Sequence, residues 1–504
     1  MNKKYIRYIG VIGILIILVM PPLIMYLPMA TVSVSNESSS SSLDSPIIKI
    51  PSEQTTSSIV FSPDGKGYLK EIGNNKYLLH VEGSPYEMGY QHGYLCAEGA
   101  SRMASEEFFV KVVLGFLGFD GDGLLSSIID VEDIKDTLGW LIPEDWIEQI
   151  YIELDQSITD LLLVLVLWIV QKNLKYVPQA LIEEMQGLAD GATDAGYATS
   201  FNNVLLLNMA FDAILSIVYP IITPLLLTLE GLGIFHMCNA FVAHGTATTN
   251  GNTIMGRDFM FNGAVFSEVA LLIEQDPDDG NKFVSTTAPG FVGVTAAMNE
   301  KGIGIGMDMC PSVDCTPADF GMGCLLTARY VVQNADELSE AVNIIKTSKR
   351  GVSWIYPIGD GRGSEVGGVA LEVSAHHCYP RYSNYKKPWW MPNIYSQIEN
   401  KVDLVVITNH FIRTEINILS LSYAVEDSRW RYEVLVDLAL DIYGDINHLS
   451  GRELIDFLHP PNYNYYGSDA TQPVGASKSC WDLTTLEVYA LYGNYNDPWA
   501  YHQL

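Results

Sequence analysis

Cys238-Asn239-Ala240-Phe241-Val242-Ala243-His244-Gly245-Thr246-Ala247-Thr248-Thr249-Asn250-Gly251-Asn252-Thr253-Ile254-Met255-Gly256-Arg257-Asp258-Phe259 is the stretch that decides the fold. From Cys238 onward it alternates like a half-buried strand, turns at Asn250-Gly251, and returns as a second strand carrying Arg257-Asp258. A cysteine therefore opens a strand whose partner brings charge beside it. If the Met237-Cys238 bond is cut, the new α-amine of Cys238, with an unperturbed pKa of about 8, can act as base for its own thiol.

Upstream, Gly83-Ser84-Pro85-Tyr86-Glu87 reads as a helix start, with Ser84 as N-cap, Pro85 at the first position and Glu87 closing a capping box. His92, further along that helix, is read as structural. Before it, the Pro63-Asp64-Gly65 and Gly73-Asn74-Asn75 turns predict a small hairpin, and residues 77–81 a strand. Residues 177–191 form an amphipathic helix assigned to packing. Downstream the pattern is strand-rich: residues 292–297 and 303–309 flank an Asn299-Glu300-Lys301-Gly302 turn, residues 325–346 read as a helix, Glu372 lies in a strand over 369–373, and residues 404–407 form an apolar strand running into Thr408-Asn409-His410-Phe411.

These elements together resemble one family, the autoproteolytic acyltransferase/hydrolase proteins similar to acyl-coenzyme A:6-aminopenicillanate acyltransferase, in the Ntn-hydrolase superfamily. The resemblance rests on Gly83 to Gly93, Cys238-Asn239, Thr248 to Gly251, Gly256-Arg257-Asp258, the Asn299 turn, Thr408-Asn409-His410-Phe411 and Asp427-Ser428-Arg429-Trp430-Arg431. It implies an α+β fold, a four-layer αββα sandwich, with an N-terminal helical pro-region and a cysteine that becomes N-terminal by self-cleavage between Met237 and Cys238. One departure stands out: Met260 occupies the family's usual aspartate position and Asp258 its asparagine position. Either Asp258 takes over that role or the site is altered.

The resemblance also implies roles. Cys238 is the nucleophile. Asn409 and the backbone near Asn239 serve the oxyanion, a contribution typically of ~3 kcal/mol. Arg257, Asp258 and Arg429 set charge and orientation, with Arg431 as the competing match to Arg429; a guanidinium near the sulfur favours the thiolate. His410 and Asn299 are given structural roles. The expected reaction is attack on an amide or thioester of a small-molecule acyl substrate, with the acyl group passing to water or an amine, and with the α and β chains staying associated after the cut. The alternatives are a lipid amidase or phospholipase B-like hydrolase on the same fold, using the apolar runs at 161–170 and 214–227 as an acyl tunnel, or an uncleaved, non-catalytic scaffold. Otherwise those runs read as buried core helices, too short or too proline-broken to span a bilayer.

Composition sets outer bounds. In 504 residues, 29 basic side chains face 59 acidic ones, a net charge of -30, which repels nucleic acid and anionic surfaces. Lys3, Lys4 and Arg7 precede an apolar run at 9–30, so residues 1–31 read as a signal anchor, with a cleaved signal peptide as alternative, and the body is placed outside the cytoplasm. Residues 32–57 form a serine-rich linker with a sequon at Asn36. The remaining division is 58–237 for the pro-region and 238–504 for the catalytic region. Seven cysteines, with Cys238 as nucleophile, leave six for up to three disulfides or for buried thiols. The histidines lack paired ligand spacing, so no metal or cofactor is expected.

Overall fold

A computed structural model describes residues 59–73, 76–105, 108, 132, 135, 144–217, 219, 238–259, 271–386, 403–420, 422–457, 477–492 and 498–504. The signal anchor at 1–31, the linker, Met237, Met260 and the second part of the 214–227 run lie outside the described residues. No helix among the described residues is long and apolar enough to cross a membrane.

Two sheets carry the fold. The larger has eleven strands: β1 (Ile59–Phe61), β2 (Tyr68–Gly73), β3 (Lys76–Gly83), β6 (Leu271–Pro277), β7 (Phe283–Thr287), β8 (Ala296–Asn299), β9 (Ile303–Gly306), β11 (Trp354–Asp360), β12 (Gly367–Val373) and β13 (Cys378–Tyr382) follow one another in that order, with β10 (Asp308–Met309) paired to β11. The smaller runs β14 (Leu404–Ile407), β4 (Asn239–Ala243), β5 (Ile254–Phe259), β15 (Ser477–Asp482), β16 (Glu487–Leu491) and β17 (Ala500–Gln503). Alternation along each strand sends side chains to opposite faces. Leu78, Leu272, Val284 and Met298 of the larger sheet thereby meet Val242, Met255, Trp481 and Val488 of the smaller one. The outward faces bury helices. Phe241, Ala243, Ile254 and Val406 pack on Tyr432, Leu435 and Leu454, from α8 (Ser422–Asp441) and α9 (His448–Ile455). On the other side, Ile303, Tyr356, Ile358 and Leu371 pack on the remaining helices. The result is a mixed α+β sandwich of four layers, helix, sheet, sheet, helix.

Three expectations change in detail. The region before Cys238 is not simply helical. Its strands β1 to β3 extend the larger sheet, and β3 pairs in parallel with β6 from Tyr77↔Leu271 to Gly83↔Pro277. The Asn250-Gly251 turn does not close a two-residue hairpin. β4 stops at Ala243 and its partner resumes at Ile254. Between them Gly245 takes a left-handed φ of 53° and the Thr246 amide donates to Asp403 at 2.7 Å, drawing the chain aside before it returns through Gly251. The helix read over 325–346 is two, α6 (Cys324–Asn334) and α7 (Leu338–Thr347), because the Asn281 and Asn299 amides take the Ala335 carbonyl at the break.

Upstream of Cys238 lie α1 (Pro85–Leu95), α2 (Ala97–Met103), α3 (Glu144–Asn173), α4 (Gln179–Asp194) and α5 (Phe201–Ile217). The Ser84–Glu87 capping box forms as read. Helices α1 and α4 touch backbone to backbone through reciprocal glycines. A Cβ on Gly89 would lie 1.9 Å from the Glu184 carbonyl oxygen, and one on Gly187 2.2 Å from that of Tyr86. No side chain rearrangement relieves a clash with backbone, so Gly89→Ala is expected to cost about 3 kcal/mol, the upper end for overpacking. Chemical denaturation of wild type and variant measures it.

All seven cysteines are described and none is in a disulfide; six are buried and Cys378 is half-buried. The buried-thiol reading therefore describes them.

Candidate active site

The pleat of β4 and β5 sorts the candidate residues onto two faces. Ala240 and Val242 point between the sheets, whereas Asn239, Phe241 and Ala243 point to α8 and α9. On the partner strand Met255 and Arg257 point between the sheets, and Ile254 and Asp258 to the helices. Gly306 of β9 confirms the Arg257 direction, since a Cβ there would sit 3.0 Å from Arg257 Cδ. Cys238 immediately precedes β4, is 4% exposed, and its thiol is an electrostatic partner of the Arg257 guanidinium, so the thiol faces the space between the sheets.

The backbone of Cys238 is held from two sides. Its N–H donates to Asn409 Oδ1 at 2.9 Å, and its carbonyl accepts from Arg431 Nη1 at 2.9 Å. Arg431 also donates from Nη1 to Asn239 Oδ1 at 2.6 Å and from Nη2 to Asn409 Oδ1 at 2.9 Å. One planar guanidinium thus fixes the nucleophile's carbonyl and both asparagines, a use for which lysine's single ammonium has the wrong shape. Asn409 Nδ2 donates to the Met309 carbonyl at 2.5 Å. An amide nitrogen carries two hydrogens, so a second donor is left for other use.

Arg257 is buried and enclosed. Its Nη1 donates to the Asp258 carbonyl and its Nη2 to the Met307 carbonyl, while Nε makes an ion pair with Asp308 at 3.0 Å. Burial opposes its charge, but Asp308 and Cys238 more than offset this and raise its pKa.

Two placements correct the sequence reading. Arg431, the competing match, is the arginine that contacts Cys238, Asn239 and Asn409: it is fully buried, while Arg429 is half-buried. On a helix of 3.6 residues per turn, Arg431 shares its face with Ser428 and Leu435, and Arg429 points some 200° away. Asp258 is not beside the thiol either. It lies on the helix-facing side with Lys478, its register partner, and Lys478 Nζ bonds Asp456 at 2.5 Å. Burial pushes the Asp258 carboxyl up to about 7, against the pull of Lys478 and Arg257.

The carboxyl on the thiol's side is Asp308, which the sequence reading passed over. It is fully buried, and beyond the Arg257 ion pair neither of its oxygens has an aligned hydrogen-bond donor among the described residues. Burial raises it to about 6, against Arg257 and Arg431. The available signal was Gly306, two residues before Asp308, whose missing side chain leaves room for the buried Arg257. His410 is a structural link: its Nδ1 meets Ser428 Oγ at 2.8 Å, and burial brings its pKa down to about 3. Asn299 is consumed by four backbone bonds, accepting from Lys301 and Ile303 in its turn and donating to the Val332 and Ala335 carbonyls at the end of α6.

Two facing sheets between helical layers are the frame expected of the Ntn-hydrolase superfamily, and the sequence comparison agrees with that class. The family model for acyl-coenzyme A:6-aminopenicillanic acid acyl-transferase matches residues 247–454, and the chain belongs to that family. An uncharacterized protein of Archaeoglobus fulgidus is 52% identical over 443 residues, covering 88% of this chain and 68% of that one. Among solved structures the chain is similar to a Caenorhabditis elegans N-acylethanolamine-hydrolyzing acid amidase ortholog, at 13% identity over 49% of this chain and 93% of that one, with a TM-score of 0.35. Penicillin V acylase from Agrobacterium tumefaciens is similar at 16% identity, over 52% of this chain and 84% of that one, with a TM-score of 0.32.

Proposed function

We propose that the chain is an autoprocessed N-terminal cysteine amidohydrolase or acyltransferase with Cys238 as nucleophile. The observation that carries this is the clamp on Cys238, whose N–H is held by Asn409 and whose carbonyl is held by Arg431, with its sulfur on Arg257. Once the peptide bond before Cys238 is opened, the same nitrogen becomes an amine beside its own thiol. The thiol attacks an amide or thioester carbonyl, the amine takes the thiol proton and passes it to the leaving group, and water or an amine accepts the acyl group. The spare hydrogen of Asn409 Nδ2 and the backbone at Asn239 serve the oxyanion. An activated acyl ester such as a p-nitrophenyl ester tests the nucleophile: a burst of p-nitrophenol and an acyl mass on the Cys238 peptide are expected, and acyl label on any other residue would contradict the assignment.

In this reading the two pieces remain together after the cut, and buried polar contacts support that. Glu184 of α4 pairs with Arg329 of α6 at 3.0 Å and accepts from Gln275 at 2.7 Å. His92 Nε2 accepts from the Gly290 N–H at 3.0 Å. Glu274 of β6, an interior strand, takes His80 of β3 at 2.9 Å, His502 of β17 at 2.7 Å and Lys282 at 2.8 Å. Although burial disfavours its charge, bonds from His502, His80 and Lys282 hold the Glu274 carboxyl well below the usual range. The Glu274 hydrogen bond raises His80, against burial. The sign follows from linkage: a depressed carboxylate stabilises above its ordinary 4.5 and loses this as pH falls, while a raised histidine stabilises below its ordinary 6.5 and loses this as pH rises. The clamp is therefore strongest between those values. Glu274→Gln is expected to cost about 3 kcal/mol between those values, as for a buried pair losing one partner, and to flatten the fall in thermal stability below 4.5 and above 6.5.

A further inference from the structure

The first cut poses a chemical problem that the mature site does not. While the chain is intact, the Cys238 nitrogen is a peptide N–H engaged with Asn409 Oδ1, so it has no lone pair with which to take the thiol proton. Another group must do so. Asp258 is on the wrong face of its strand. Glu372 is committed to Arg381 at 2.7 Å and to the Ile412 and Arg413 N–H groups. His410 has Nδ1 on Ser428 and is a weak base in its buried setting. Among the described residues this leaves Asp308, on the thiol's face, sharing Arg257 with the sulfur and lacking aligned donors.

We propose that Asp308 is the proton carrier for self-cleavage, a role that rests on the autoprocessing reading above. The Asp308 carboxylate takes the Cys238 thiol proton, directly or through one water. The sulfur attacks the carbonyl carbon on the N-side of Cys238, and the S–C bond forms as the C–N bond breaks. The departing nitrogen receives the proton back from the Asp308 carboxyl. The products of this shift are a thioester and the free α-amine; water then hydrolyses the thioester, regenerating the thiol and leaving a carboxylate on the upstream piece. Arg257 is the shared counter-ion: it faces a carboxylate before the proton moves and a thiolate after, so the guanidinium stays paired throughout and no buried charge is left alone.

The groups facing Asp308 are Arg257 from β5 and Arg431 from α8, with Cys310 beside it and the apolar Ile355 opposite on β11. The cleavage rate is therefore expected to rise with pH through about 6, as Asp308 ionises, and then level off.

The test follows cleavage of the full chain in cell-free translation at controlled pH, for wild type, Asp308→Asn and Asp308→Glu. Asp308→Asn is expected to cleave about 100-fold more slowly or worse, the lower range for losing a general acid and base, and to lose the rise near pH 6. Its uncut chain should still alkylate at Cys238 with iodoacetamide at pH 6, because Arg257, no longer opposed by a carboxylate, favours the thiolate. Asp308→Glu should recover pH-dependent cleavage. Cleavage of Asp308→Asn at the wild-type rate with the wild-type pH profile would overturn the proposal. So would joint loss of cleavage and alkylation with no recovery in Asp308→Glu, the pattern of a purely structural ion pair. A wild type that never cleaves would instead remove the autoprocessing reading itself, and this proposal with it.

Discussion

Cys238→Ala is expected to leave a single uncut chain and to lower hydrolysis of acyl amides or esters by about 10⁵-fold or more, the scale seen when a covalent nucleophile is removed. The expectation is this large because the proposed mechanism uses the thiol twice, first against its own peptide bond and then against substrate. Its surroundings are already charged and buried, with Arg257 on the sulfur, so nothing nearby substitutes for the missing atom. The variant should fold normally, since Cys238 contributes little apolar area and its backbone contacts to Asn409 and Arg431 survive the change. A circular dichroism melt beside the activity assay checks this, and retained activity in a folded Cys238→Ala protein would remove Cys238 from the mechanism.

Arg431→Ala carries the second largest effect. Arg431 is fully buried and supplies donors to the Cys238 carbonyl, Asn239 Oδ1 and Asn409 Oδ1. Its removal leaves three buried acceptors short of a donor and leaves Asp308 and Asp258 with less compensating charge. A loss of about 4 kcal/mol in stability, together with at least a hundredfold loss of cleavage, is expected. Arg431→Lys should not restore activity, because one ammonium cannot span acceptors that the planar fork reaches from two nitrogens. Arg429→Ala, at a half-buried position two residues away, is expected to leave self-cleavage far less impaired than Arg431→Ala does. Urea unfolding and cleavage assays on the three variants separate the two arginines. Equal defects in Arg429→Ala and Arg431→Ala would contradict the assignment.

The pairing of strands around Cys238 was legible because alternation is a local signal, although the Asn250-Gly251 turn closes a longer connection than read, and the family's motifs pointed to Asn409 and the order of elements. What was not legible came from reading neighbours in sequence as neighbours in space. Arg257 and Asp258 are adjacent along the chain, yet pleating sends one to the thiol and the other to Lys478 on the opposite face. The same alternation, applied strictly outward from Val242, would have separated them. Arg429 and Arg431 could be told apart only by knowing which helix face is buried, and the mixed polar and apolar pattern of α8 does not declare it. Asp308 joins the site through β10 pairing with β11, a contact of long sequence separation that no local pattern encodes. The strands upstream of Cys238 were partly read, but the parallel union of β3 with β6 depends on residues nearly two hundred positions away.

The most direct measurement is the intact mass of the purified wild-type protein with N-terminal sequencing of its fragments. The account predicts two pieces that co-purify, the downstream one beginning at Cys238. A single uncut chain, or a downstream piece beginning at any other residue, would contradict it.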